Sequence, residues 1–156
     1  MRLHICAVGR LRGGPESALI DDYTQRFERT GRALGLSQLR IVEVDDRKGG
    51  GMAGEADLLR RALPKGATTV CLDERGKTLA SPAFAARIAT WRDTGTQDLA
   101  FLIGGADGLA ADLRTEADFA LSFGAMVWPH MLARVMLTEQ LYRAATILAG
   151  GPYHRV

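Results

Sequence analysis

The sequence predicts an α/β fold, a parallel sheet with helices on both faces. Short apolar runs alternate with longer segments of helical periodicity along the whole chain. Two of the runs, TTVCLD at 68–73 and DLAFLI at 98–103, are almost continuously apolar, as strands covered on both faces are. The length of 156 residues, with 47% hydrophobic and 24% charged, fits one domain, 1–156, around a single sizeable core.

The elements follow in order. LHICAV (3–8) reads as a strand. The segment 15–35 reads as a helix, with Leu19, Tyr23, Phe27 and Leu34 at near-helical spacing. LRIVEV (39–44) is a strand, and DDRKGGGMAG (45–54), polar and glycine-rich, is expected to be a mobile loop. A short helix at 55–63 is stopped by Pro64, and the strand 68–73 follows. Ser81 before Pro82 has the form of an N-cap followed by a first-turn proline, opening a helix to about Arg92. The strand 98–103, a short helix at 110–117, a short strand at 119–123 and a long helix to Ala149 complete the chain. In such a sheet, ligands bind beyond the carboxyl ends of the strands. That rim holds Leu72 and Asp73, the glycines of FLIGGADGL (101–109), and the stretch after Phe123.

Several chemistries are excluded or weakened. GGADG lacks the GxGxxG spacing and follows a late strand. ERGKT (74–78) has Cys71 where a phosphate loop needs its first glycine, so Gly76-Lys77 reads as a turn with a solvated lysine. There is no GxSxG and no metal-ligand spacing such as CxxC or HxxxH. Cys6 and Cys71 read as reduced thiols in buried strands. His4, among apolar neighbours in a strand, reads as structural, and His130 as a capping or packing residue. No apolar run reaches the roughly 18 residues that span a bilayer, and the N-terminus does not read as a signal peptide, so a cytoplasmic protein is expected. A net charge of +2 and a pI near 8.7 permit a nucleic-acid partner without demanding one.

The C-terminal third is the most informative. Gly124-Ala125-Met126-Val127-Trp128-Pro129 is an apolar connection, expected to be buried with its backbone groups in need of partners. Such a pocket suits an adenine ring and a sulfonium better than phosphates. The helix 131–149 has few polar members (Arg134, Thr138, Glu139, Gln140, Arg143 and Thr146), which points to burial on more than one side and to an oligomer interface.

LIGGADG, LSFGAMVWPHMLARVMLTEQLYRA and the terminal PYHR, with AVGRLR and LDERGK before them, resemble the RlmH family of SPOUT-class methyltransferases over the whole chain. The resemblance implies a C-terminal trefoil knot, a homodimer, S-adenosylmethionine as cofactor, and methylation of N3 of a pseudouridine in 23S rRNA within the ribosome. It implies cofactor contacts at Leu72, at Gly104 and Gly105, and at Gly124, Ala125, Met126, Val127, Trp128 and Pro129. It also brings the tail Tyr153-His154-Arg155 to the catalytic centre. There His154 is a candidate base, Arg155 the positive partner of the developing charge, and Tyr153 a flat face for the target base. Arg134 and Glu139 are second candidates, although Glu139 and Arg143 also form an ordinary i,i+4 pair. Gly151, where relatives often carry histidine, and Ala106-Asp107, where Pro-Glu is common, depart from the family pattern. Arg10, Arg12, Arg26, Arg29, Arg32, Arg47 and Lys48 are candidates for phosphate contacts. A SPOUT enzyme acting on tRNA or another RNA, and a non-enzymatic nucleotide- or ribosome-binding module, remain open on sequence.

Overall fold

The computed structural model describes residues 1–45 and 49–155. The elements run β1 (Arg2–Val8), α1 (Pro15–Gly31), a 3-10 turn (Arg32–Leu34), β2 (Gln38–Val44), α2 (Gly51–Ala62), β3 (Thr68–Thr78), α3 (Ser81–Asp93), β4 (Asp98–Ile103), α4 (Ala111–Glu116), β5 (Phe119–Ser122) and α5 (His130–Leu148). The strands form one parallel sheet in the order β2-β1-β4-β3-β5.

The apolar runs are continuous because both faces of the sheet are covered. Leu3, Ile5 and Ala7 of β1 and Leu99, Phe101 and Ile103 of β4 point into one core with Phe27, Ile88, Leu137 and Leu141 of α1, α3 and α5. Cys6, Val8, Cys71 and Leu102 point the other way, onto Ala56 and Leu59 of α2 and Leu113 of α4. Every residue of β4 is buried. Burial pushes the Cys6 thiol up to about 11, so it is an inert core side chain.

The structure departs from expectation in four places. α2 begins at Gly51, inside the stretch expected to be a loop: the Gly54 N–H donates to the Gly50 carbonyl at 3.0 Å, so helical bonding runs through the glycines one turn ahead of Ala56. Within that stretch, Asp46, Arg47 and Lys48 lie outside the described residues. Ser81 is the first residue of α3 and not its cap: Ala80 holds the cap position, and the Ser81 hydroxyl donates to Gln140 Oε1 of α5 at 2.8 Å. β3 runs on to Thr78 after a break in register between Leu72 and Lys77. Gly76 is therefore in a strand and not a turn. A Cβ there would lie 2.7 Å from the Ala120 carbonyl carbon, so only glycine lets the two backbones meet. Finally, the connection 124–129, expected to be buried, is exposed over most of its length, with Met126 at 72% and Val127 at 83%. It lies at the carboxyl rim of the sheet.

Candidate active site

The carboxyl ends of β3, β4 and β5 enclose a cleft of about 270 Å³. One wall is the β3 bulge, Leu72 to Arg75, and a second is the turn Gly104 to Leu109. The third is Phe123, Gly124 and Met126 to Trp128, continued by His130 and Ala133 of α5. Of the positions expected at the cofactor, Leu72, Gly104, Gly105, Gly124, Met126, Val127 and Trp128 line this cleft. Ala125 and Pro129 belong to the same connection but are not among its lining residues.

Each wall is fixed by its own chemistry. Gly108 N–H donates to the Gly105 carbonyl at 3.1 Å, closing the β4–α4 connection on itself. The closure is so tight that a Cβ on Gly104 would lie 2.4 Å from the Gly108 carbonyl carbon. The glycines that end β4 thus serve a backbone-on-backbone fold as well as an open cleft. On the β3 wall, Asp73 accepts the Arg75 N–H at 2.9 Å and the Arg114 guanidinium at 3.1 Å. The third wall is tied to the first through Ser122, whose Oγ donates to the Glu74 carbonyl at 3.1 Å and accepts the Gly124 N–H at 3.0 Å. The result is a concave site of backbone and apolar surface, with Asp73 paired to Arg75 and Arg114 at its rim.

The tail lies elsewhere on the same chain. Tyr153 donates its hydroxyl to Glu139 Oε1 at 2.9 Å, its ring packs 4.6 Å from that of Tyr142, and the Arg143 guanidinium lies 4.7 Å above it. Burial, with hydrogen bonds to Tyr23 and Glu139, pushes the Tyr153 hydroxyl well above the usual phenol range, so it stays neutral. His154 Nδ1 sits 3.4 Å from Arg143 Nη1, and Arg155 is exposed. At 1.5 Å per residue, Arg143 is about 20 Å along α5 from His130. Tyr153, His154 and Arg155 therefore do not line the cleft of their own chain.

A second hollow, of about 420 Å³, opens between α1, α3 and α5 beside Tyr23, Val135, Met136 and Glu139. It shares Leu121 and Phe123 with the cleft, so those two side chains are the partition between the two spaces. Arg134, a second candidate for the chemistry, is fully buried and bonds to the end of β1 instead of facing the cleft. Sequence reading left His130 without a place at the site, although its position directly after the connection 124–129 was the available signal.

The family described as "Predicted SPOUT methyltransferase" matches residues 1–154. The ribosomal RNA large subunit methyltransferase H of Ruegeria pomeroyi is 71% identical over 156 residues, the whole of both chains. The protein of that name from Dinoroseobacter shibae is 69% identical, again over the whole of both chains. The solved structure of a probable methylase family protein from Haemophilus influenzae Rd KW20 matches with a TM-score of 0.53 at 14% identity, covering 99% of this chain and 70% of that one. That likeness concerns the fold.

Proposed function

We propose a function from one premise: the chain belongs to the SPOUT methyltransferase family, alongside the ribosomal RNA large subunit methyltransferase H proteins. Membership implies the C-terminal trefoil knot. The chain is a methyltransferase that uses S-adenosylmethionine to methylate N3 of a pseudouridine in 23S rRNA of the assembled ribosome. It works in the cytoplasm, as one domain and as a homodimer. The observation that carries this reading is the cleft at the carboxyl rim, walled by the three chain segments that the strand ends and glycines pick out.

The cleft fits the cofactor. The backbone of Gly104 and Gly105 lines the cleft and offers it polar main-chain groups, and the connection 124–129 offers apolar side chains with little of their own chain against them. When bound, the cofactor supplies a methyl group on a positively charged sulfur. What this chain contributes is position, since methyl transfer needs attacking and leaving atoms in line at near-contact distance. Leu72, Gly104, Gly105 and Gly124 to Pro129 hold the cofactor.

The target nitrogen carries a proton, and its loss leaves an anion to be stabilised. Arg155 supplies positive charge for that anion. Arg143 can only donate, so His154 Nδ1 is the acceptor in their 3.4 Å contact, which leaves Nε2 to face a ligand. His154 is the candidate for the proton itself, as a base through Nε2. Tyr153, neutral, held by Glu139 and packed against Tyr142 and Arg143, fixes the direction of the tail.

The separation of tail and cleft within one chain is resolved if the tail serves the cleft of a second copy. Apolar surface available for that copy lies at Met126, Val127, Trp128, Met131 and Leu132, all exposed. The apolar character of α5 is otherwise used inside its own chain, where Leu137 and Leu141 are fully buried. Complementation tests the arrangement. A chain lacking residues 153–156 and a chain carrying Gly105→Val are each expected to lose at least about a hundredfold in rate, the scale of a lost charge-stabilising group or of misplaced reactants. Mixed and refolded together, they are expected to recover part of the activity through heterodimers with one intact cleft and one intact tail. No recovery, with heterodimers demonstrated by sedimentation, overturns the shared site.

A further inference from the structure

Arg134 is the largest fully buried side chain of the protein, and the proposed chemistry does not use it. It leaves α5 one turn after His130, and its neighbour Ala133 lines the cleft. Its guanidinium reaches the carboxyl end of β1. There Nη2 donates to the Val8 carbonyl at 3.0 Å and the Gly9 carbonyl at 3.2 Å, and Nη1 lies 3.4 Å from Glu43 Oε2 at the end of β2. The same Glu43 oxygen accepts the Leu11 N–H at 2.6 Å.

These contacts converge on one short segment. Residues 9–14 connect β1 to α1, and they carry Arg10 and Arg12, both exposed at the carboxyl rim. Gly9 also donates its N–H to the Val44 carbonyl at 2.9 Å. Two bonds to this segment thus come from Glu43 and Arg134, a third from Arg134 holds Val8 just before it, and Arg134 is rooted in the helix that lines the cleft. Burying a guanidinium is unfavourable: it lowers the affinity of Arg134 for its proton, against the opposing pull of Glu43. A leucine or methionine would fill the same space in a helix without that cost.

We infer that Arg134 is a positioning residue, which aims the arginine-bearing β1–α1 segment at the rRNA backbone and ties its direction to the cleft. The inference rests on the reading of the protein as an rRNA methyltransferase that uses Arg10 and Arg12 for phosphate contacts. Arg134 touches neither cofactor nor target. Its loss is felt in ribosome binding and not in the transfer step, because phosphate contacts set affinity and register while the reacting atoms are held by the cleft and the tail.

The test uses Arg134→Met and Arg134→Lys in the full-length protein, with Glu43→Gln in reserve should the methionine variant fail to fold. Two independent readouts are taken. The first is amide hydrogen exchange without substrate. Arg134→Met is expected to speed exchange at Gly9 and Leu11 at least about tenfold while the β4 amides Leu99 to Ile103 keep their protection. Acceleration at β4 as well would mean a merely structural role and overturn the inference, as would unchanged exchange at Gly9 and Leu11. The second is methyl transfer to assembled ribosomes. The KM for ribosomes is expected to rise at least about tenfold with kcat at saturation and cofactor affinity within about twofold, and lysine is expected to restore part of the loss. Adding Arg134→Met to an Arg10→Ala/Arg12→Ala chain is expected to cost nothing more, because the two changes act through the same contacts. A loss confined to kcat, or an additive loss, overturns the inference. Wild-type protein that transfers no methyl to ribosomes overturns the function it rests on, and the exchange result still judges Arg134.

Discussion

The two rims of the sheet are built on opposite plans. At the amino-end rim, Arg2 and His4 of β1 meet Asp98 of β4: Arg2 donates twice to the carboxylate at 2.8 and 2.7 Å, and His4 Nε2 lies 2.8 Å from Oδ1. His4 and Asp98 are buried, and each charge or dipole has its partner within the cluster. At the carboxyl rim the backbone folds on itself without side chains at Gly104, and large apolar groups at 126–128 face outward. The closed rim can only hold the strands in register. The open rim presents the kind of surface that a ligand and a second chain would complete.

The sharpest way to break this contrast is to fill the open rim. Gly104→Val puts a branched side chain against the Gly108 backbone, where nothing can yield. It is expected to cost about 3 kcal/mol of stability and to abolish cofactor binding, measured by urea denaturation and calorimetry. Breaking the closed rim comes next. Asp98→Ala leaves His4 buried without its carboxylate, for an expected loss of about 2–3 kcal/mol in the same denaturation experiment. Cofactor affinity is expected to stay unchanged, because this cluster lies at the opposite end of β4 from the cleft.

Acid gives a gentler form of the same test. The Arg2 guanidinium, with His4, holds the Asp98 carboxyl below the usual carboxylate range. Its contribution is therefore complete above the unfolded-state value near 4, and is lost as the pH falls through the lower folded value. The stability gap between wild type and Asp98→Ala is expected to narrow as the pH falls below about 4. The smallest effect belongs to the exposed connection. Val127→Ser is expected to change chain stability by less than about 0.5 kcal/mol, because that side chain touches little of its own chain. Self-association, followed by sedimentation, is expected to weaken measurably.

The same division decides what could be read in the sequence. The strands and their burial were legible because continuous apolar runs report a two-sided cover directly, and the rim positions follow from where those runs end. The β3 extension was not legible, since Gly76 is explained only by Ala120 on a neighbouring strand. Nor was the start of α2, where Gly51 and Gly54 read locally as loop residues but are taken into the helix. The connection 124–129 was misjudged because apolar sequence reports the need for cover and not its source. The tail residues were legible as a group, but their berth on Glu139, Tyr142 and Arg143 is a tertiary fact with no local signature.

The central claim is that the open rim serves methyl transfer to ribosomal RNA. It is tested most directly by offering the purified protein methyl-labelled S-adenosylmethionine together with ribosomes, free rRNA and tRNA in parallel. The account predicts label in 23S rRNA of assembled ribosomes, on N3 of a pseudouridine, with little in the other two. Label in tRNA, or no transfer to any of the three, would contradict it.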